Sequence, residues 1–158
     1  DQSPRIITDH EWTLGLYGDY SQEKNESFED WLEKDFVSAG MYLGMSAYPY
    51  SDEEKKAVLE TELYKLREKF VANLNPPSWI EAWSSLSRQD YRELLKTIDV
   101  PVLLAYGKEC AYYGEKVAEY VDNQLPDSTL QVFSPATHYP HLECPEQFLD
   151  ALKAFVNA

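Results

Sequence analysis

Apolar side chains recur at helical spacing through much of the first hundred residues of the chain. Ser27 and Asp30 form a capping box, and the apolar positions that follow predict a helix running to about Tyr42 or Met45. Its apolar face consists of Phe28, Trp31, Leu32 and Phe36. The preceding residues are rich in aromatics and glycine, and they predict a loop with one short helical turn.

Three further helices are predicted before the pattern changes. Ser51 and Glu54 form another capping box, which predicts a long amphipathic helix that ends at Asn75-Pro76-Pro77. The apolar positions of that helix are Val58, Leu63, Leu66, Phe70 and Val71. Shorter helices are predicted over Pro77–Leu86 and Arg88–Ile98.

After residue 98 the pattern becomes that of an α/β unit. A continuous apolar run from Val100 to Tyr106, ended by Gly107, predicts a strand buried on both faces. A helix over Lys116–Leu125, a strand over Thr129–Phe133 and a closing helix over Cys144–Val156 follow. Strand, helix and strand at these lengths predict a right-handed parallel crossover.

The change of pattern divides the chain into a helical region, residues 1–97, and a β-α-β-α segment, residues 98–158. Two parallel strands cannot bury themselves, because parallel strands need cover on both faces and usually more neighbours. We therefore expect the chain to be part of a larger fold, completed by another chain or by residues before Asp1.

Composition narrows the classes of partner. The 158 residues allow one domain with a core, and the formal charge of −14 disfavours nucleic acid, whose phosphates need clustered Lys and Arg. No apolar run is long enough for a membrane span, and no signal peptide pattern is present. Cys110 and Cys144 show no ligand or disulfide spacing, so we expect a cytoplasmic protein without a metal or cofactor.

His138 is the candidate for chemistry. It lies in a short loop between the predicted strand Thr129–Phe133 and a helix opened by Pro145. An imidazole with an ordinary pKa of about 6.5 serves as base and then acid near neutrality. The alternative is a loop histidine that only hydrogen-bonds its neighbours. His10 is expected to be a surface residue, and His141 a packing or capping residue.

Three stretches of the chain resemble the α/β-hydrolase family. They are I-D-V-P-V-L-L-A-Y-G at 98–107, L-P-D-S-T-L-Q-V-F at 125–133 and A-T-H-Y-P-H-L-E-C-P-E-Q-F at 136–148. The D-Q-S-P start and the helical block after it resemble that family's segment following the sixth strand and its helical lid. Together they resemble the lid and C-terminal third of such an enzyme.

The resemblance implies an incomplete α/β-hydrolase fold, with a helical lid followed by the last two parallel strands and their helices. It also implies hydrolysis of an ester, a lactone or a related acyl substrate of apolar character by a nucleophile–histidine–acid triad. His138 falls on the position of the family's catalytic histidine. Of the lid residues, Trp31 and Met41 are the candidates for contact with the substrate.

The nucleophile of the family lies in a G-x-S-x-G elbow, and this motif is absent from the sequence. The nearest segment, Gly44-Met45-Ser46-Ala47-Tyr48, lacks the last glycine and falls in a predicted lid helix. We therefore expect the nucleophile in an N-terminal half that is a separate or missing polypeptide. This chain alone is expected to be inactive.

The position of the triad acid also departs from the family pattern. The family most often has an aspartate three residues after the glycine that matches Gly107, and Cys110 stands there. A thiol with a pKa near 8.5 supplies no fixed negative charge. Asp1, after the sixth strand, and Glu109 are the two candidate carboxylates. A different class of function also stays open, a non-catalytic acidic helical module that binds other proteins.

Overall fold

The structure, a computed structural model, describes residues 2–49, 53–54, 57 and 61–157. The helical region contains a 3₁₀ turn and five described helices. These are Leu16–Gly18, α1 (Gln22–Lys34), α2 (Phe36–Met45), α3 (Glu62–Ala72), α4 (Pro76–Ser87) and α5 (Arg92–Leu95). The α/β segment contains β1 (Val102–Gly107), α6 (Glu115–Gln124), β2 (Ser128–Phe133), α7 (Pro140–Glu143) and α8 (Pro145–Val156).

The first predicted helix is two helices, and its predicted start is wrong. The N-cap is Ser21, whose side chain accepts a hydrogen bond from the Lys24 amide, so Ser27 lies inside α1. Asp35 leaves the helical conformation and caps α2 by accepting from the Ser38 amide. A cap needs an extended backbone at its own position, and the sequence pattern alone does not choose between two serines that both precede good helix formers.

The proline signals were accurate. α3 ends at Ala72, and Asn75 caps α4 by accepting from the Ser78 amide, with proline in the first turn. The predicted capping box at Ser51 lies outside the described residues, while the described helix α3 has Thr61 as its cap. α5 is one turn long and so shorter than predicted.

The parallel pairing of the two strands, with a helix between them along the chain, is confirmed. β1 and β2 pair in parallel from Val102 opposite Ser128 to Gly107 opposite Phe133, with α6 between them along the chain. Within the described residues the sheet has these two strands. β1 is buried only at Tyr106 and Gly107 and half-buried elsewhere, which corrects the prediction of a strand buried on both faces. The apolar run forms a strand as predicted, but the described residues do not cover both of its faces.

One apolar core runs across the predicted boundary near residue 98. It joins residues of the N-terminal segment and of α1 and α4 to residues of the α/β segment; they include Ile6, Leu16, Phe28, Leu32, Trp83, Tyr106, Val117 and Val121. Backbone hydrogen bonds join the same regions, from Tyr17 to Tyr112 and from Ala111 to Ala47. None of the described helices is long and apolar enough to cross a membrane.

Candidate active site

Gly107, the last residue of β1, lies directly against the loop that carries His138. A Cβ atom at this position would overlap the carbonyl oxygens of Thr137 and Ala136. The absence of a side chain at Gly107 therefore allows the histidine loop to cross the carboxyl end of β1. This edge is where open parallel sheets place their functional side chains.

Two carboxylates hold the loop from either side. Glu109 accepts hydrogen bonds from the Ser134 hydroxyl at 3.0 Å and from the Ala136 amide at 2.8 Å. Glu143, at the end of α7, accepts from the amide and the hydroxyl of Thr137. The bond from the Ala136 amide is the main cause that lowers the pKa of Glu109. These bonds fix the backbone on which His138 stands.

His138 lies half-buried among tyrosine rings. The ring centroids of Tyr112, Tyr139 and Tyr113 lie 4.7, 5.0 and 6.4 Å from that of the imidazole. Burial lowers the pKa of His138 to about 4, and the negative charge of Glu143 opposes this effect. The imidazole is therefore neutral at neutral pH, which is the form that a general base requires.

Cys110 is brought to the side of the imidazole where a triad acid would stand. Its sulfur lies 4.0 Å from Nδ1 of His138. Burial raises the pKa of this thiol, so Cys110 is uncharged at neutral pH. Cys110 therefore occupies the position expected for the triad acid, but it carries no negative charge.

Of the two candidate carboxylates, the structure describes Glu109. Both carboxylate oxygens of Glu109 bond to the loop at Ser134 and Ala136, an arrangement that favours a supporting role. Asp1 lies outside the described residues. Gln2, the residue that follows it, accepts a hydrogen bond from the Tyr106 hydroxyl at 2.6 Å and lines the same cavity as His138.

A cavity of about 440 Å³ opens between the histidine and the lid helices. Its walls come from α2, α3 and α4 and are largely apolar; they include Phe36, Leu43, Val71, Leu74, Trp79 and Trp83. Tyr112, Tyr139 and Arg67 also line it. A concave, mostly apolar site with few polar groups is typical of small-molecule binding.

Trp31 and Met41, the residues predicted to contact the substrate, line other cavities than the one at His138. Trp31 lines a neighbouring cavity of about 700 Å³, which shares Leu16 and Leu43 with the cavity at His138. Met41 is 3% exposed and borders a third cavity of about 260 Å³. No sequence pattern favoured Arg67 or Tyr139, because their approach to one cavity depends on how distant helices pack.

A hydrogen-bonded group joins the lid to the loop after β1. Ser46 donates to the Leu43 carbonyl at 2.9 Å and lies 2.5 Å from the hydroxyl of Tyr17. The Tyr112 hydroxyl donates to the same carbonyl of Leu43. Ser46 thus takes part in packing at the end of α2, as its helical context suggested. Tyr112 was not predicted, although its position two residues after Cys110 was a usable signal.

The other two histidines have no comparable setting. His10 lies at the surface with its side chain 89% exposed. His141, in α7, packs against Tyr139 and Phe148. In the part of the chain that the structure describes, no cluster of His, Cys, Asp and Glu is arranged to hold a metal ion.

No family model matches the chain. Among curated proteins it is similar to pimeloyl-[acyl-carrier protein] methyl ester esterases. One from Neisseria meningitidis serogroup B is 38% identical over 82 residues, which are 52% of this chain and 32% of the relative. One from Cronobacter sakazakii is 41% identical over 69 residues, 44% of this chain and 27% of the relative. The matches therefore span about a third of these relatives' length.

Solved structures match almost the whole chain. An esterase from Exiguobacterium antarcticum has a TM-score of 0.77 at 19% identity over 98% of this chain and 54% of its own. A hydrolase from Oleispira antarctica has 0.80 at 17% identity over 98% and 53%. The enol-lactonase from Burkholderia xenovorans has 0.69 at 11% identity over 99% and 54%. At these identities the likeness establishes the fold, and the chain spans about half of it.

Proposed function

Because the chain has the fold of the lid and C-terminal portion of an α/β-hydrolase, we propose that it forms part of an enzyme that hydrolyses an ester, a lactone or a related acyl compound. The observation that carries the proposal is His138 itself. It stands neutral and half-buried at the carboxyl end of β1, beside an apolar cavity beneath the lid helices. The similarity to ester hydrolases supports the same class of reaction.

In the proposed reaction His138 is the general base and then the general acid. Nδ1 lies 4.0 Å from the sulfur of Cys110, and Nε2 is the proposed nitrogen that exchanges a proton with the nucleophile. Nε2 takes the proton of a serine hydroxyl as it attacks the acyl carbon, and returns it to the leaving alcohol. The serine belongs to the part of the fold outside this chain, since the sequence contains no G-x-S-x-G motif.

Asp1 is the proposed acid that holds the imidazole tautomer, and Glu109 is the second candidate. Gln2 borders the cavity beside His138, which supports an approach of the N-terminal segment to the imidazole. Glu109 is already engaged by Ser134 and Ala136, which supports the ranking. Substrate contacts at Trp31 and Met41 stay predictions, and the cavity that Trp31 lines adjoins that of His138.

The test uses a fluorophosphonate probe, which labels an activated serine. We expect labelling of the full-length protein, by which we mean this chain together with the proposed nucleophile-bearing N-terminal half, and none of the 158-residue chain by itself. His138→Ala should abolish labelling of the full-length protein, whereas His10→Ala, at the exposed histidine, should leave it unchanged. Labelling of the chain alone would refute the placement of the nucleophile. Labelling that survives His138→Ala would refute the role of the histidine.

A second candidate is a non-catalytic acidic module that binds other proteins. The formal charge of −14 and the missing nucleophile motif favour it. The intact mass of the material purified from its native source separates the two candidates. A covalently attached or co-purifying segment with G-x-S-x-G supports the enzyme, and a folded, monodisperse chain of this mass alone supports the module.

A further inference from the structure

Arg67 brings a positive charge to the same cavity as His138. It lies on α3, in the lid, and lines the cavity together with His138 and Tyr139. Its charge lowers the pKa of Tyr139, against the larger opposing effect of burial, so the guanidinium acts electrostatically on a direct neighbour of the histidine. Within the described residues no acidic side chain lines this cavity.

The surroundings of Arg67 differ from those of the other arginines in the chain. Arg5, Arg88 and Arg92 each pair with a carboxylate, at 2.5, 2.6 and 2.6 Å. Arg67 has no ion pair among the residues that the structure describes, although the chain contains 28 acidic residues. Its Nη1 donates to the Gly44 carbonyl at 3.3 Å and contacts the Met45 sulfur at 3.6 Å.

Those contacts use only part of the hydrogen-bonding capacity of the Arg67 guanidinium. The bond to Gly44 satisfies a carbonyl at the end of α2, which is a common structural use of arginine. Guanidinium offers five N–H donors in a planar fork, and within the described part of the chain both contacts of Arg67 are made by Nη1. Arg67 lines the cavity, and Nε and Nη2 make no hydrogen bond to the described residues, so these donors can serve a ligand there.

We propose that Arg67 binds a carboxylate on the substrate, so that the enzyme prefers an ester whose acyl chain ends in a free carboxylate, that is, a half-ester of a dicarboxylic acid. This inference rests on the proposed hydrolytic function. The apolar walls contact the methylene chain, Arg67 holds the charged end, and the ester group lies at His138. Arg67 is a specificity residue in this arrangement, and it contacts the charged end of the acyl chain rather than the ester group.

A carboxylate fits the site better than a phosphate. The planar fork of arginine pairs with two oxygens of a carboxylate. One guanidinium balances one negative charge, and no second lysine or arginine among the described residues lines the cavity to balance a phosphate dianion. The overall charge of −14 makes an uncompensated second negative charge still less favourable.

The experiment compares matched esters on the full-length protein. The probes are monomethyl glutarate, adipate and suberate, each beside the methyl ester of the monocarboxylic acid of equal length. We expect kcat/KM to be higher for the half-ester at one or more lengths, and this preference to decline as salt screens the charge. Arg67→Met, which keeps an apolar stem, should lower kcat/KM for the preferred half-ester by about 10- to 100-fold and leave the neutral ester nearly unchanged.

Lys69→Met, which removes an exposed charge from the same helix, is the matched control and should preserve the preference. If the wild-type protein hydrolyses neutral esters in a His138-dependent way without preferring any half-ester, the role of Arg67 is refuted while the hydrolytic function stands. Equal losses on both esters in Arg67→Met, with folding confirmed by circular dichroism, refute it as well. Hydrolysis of no ester at all refutes the proposed function itself.

Discussion

At the scale of single residues, the surroundings of His138 decide its protonation. The tyrosine rings shield the imidazole from water, and the neighbour at Nδ1 is an uncharged thiol. Both features favour the neutral form of the His138 imidazole. An ordinary triad aspartate would favour the charged form instead, because an opposite charge at close range stabilises imidazolium.

Tyr112→Ala should raise the pKa of His138. The Tyr112 ring covers the imidazole at 4.7 Å between centroids, and its loss admits water, which stabilises the charged form. We expect the midpoint to move from about 4 toward the ordinary value of about 6.5. An NMR titration of the imidazole measures it. Tyr91→Ala, at a residue that is 40% exposed, is the control, and an unchanged midpoint in Tyr112→Ala would contradict the role of burial.

Cys110→Asp should also raise the pKa of His138, for a different reason. The new carboxylate would stand where the sulfur now lies, 4.0 Å from Nδ1, and its charge would stabilise imidazolium by about one pH unit or more. Cys110→Asn has nearly the same shape without the charge and serves as control. The same titration measures both variants, and equal midpoints would contradict a charged carboxylate facing the imidazole at this position.

At the scale of elements, the site depends on contacts between the ends of β1 and α7 and the loop between β2 and α7. Gly107 gives the loop room, and the carboxylates of Glu109 and Glu143 bond to it from both sides. The lid has a comparable internal anchor. Asn25 of α1 is fully buried and accepts a hydrogen bond from Nε1 of Trp83 in α4 at 3.1 Å.

Glu109→Gln should lower the stability of the protein at neutral pH. The difference in stability between the variant and the wild type should disappear in acid. The pKa of Glu109 lies below its ordinary value of 4.5 in the folded protein, so its stabilising effect is present above the ordinary pKa. The effect disappears as the pH falls through the lowered pKa. Thermal unfolding of both proteins along a pH series measures the difference. A difference that persists in strong acid would contradict the carboxylate's role.

Asn25→Ala should destabilise the lid by about 1–3 kcal/mol, because the buried indole N–H of Trp83 loses its acceptor. Urea unfolding followed by tryptophan fluorescence measures the change. Asn123→Ala, on the exposed side of α6, is the control and should change stability much less. A loss no greater than that of the control would show that another acceptor replaces Asn25.

At the scale of the whole molecule, the described sheet exposes more apolar surface than a complete α/β fold would. β1 pairs on one side with β2, and most of its residues are half-buried. Large apolar side chains of α7 and α8 are also exposed; they are Leu142, Leu149, Leu152 and Val156. The solved structures that share this fold are nearly twice as long as the matched part. Their remaining strands would cover such surfaces.

Hydrogen exchange can test this view of the sheet. We expect amides of β1 to exchange faster in the 158-residue chain than in the full-length protein, because an additional strand would pair with its open edge. Amides of α6, which packs on both described strands, serve as the internal reference. Equal protection of β1 in both proteins would contradict an adjoining strand at that edge.

The amino-acid sequence is sufficient to predict the parallel strand pair, the proline-bounded helix α4 and the place of His138 after β2. These depend on local periodicity and on turn residues, which neighbouring positions along the chain fix. It also showed that the nucleophile motif is absent and that Cys110 replaces the expected aspartate. It misplaced the start of α1 and missed the break at Asp35, because competing caps differ only in tertiary context.

The set of side chains that share the cavity with His138 depends on tertiary packing. Arg67 lies far from it along the chain, and Trp31 and Met41 face other cavities, because the packing of α2, α3 and α4 sets where each face points. The 4.0 Å approach of Cys110 to Nδ1 likewise depends on the loop crossing Gly107. Such contacts join residues distant in sequence, and no local pattern encodes them.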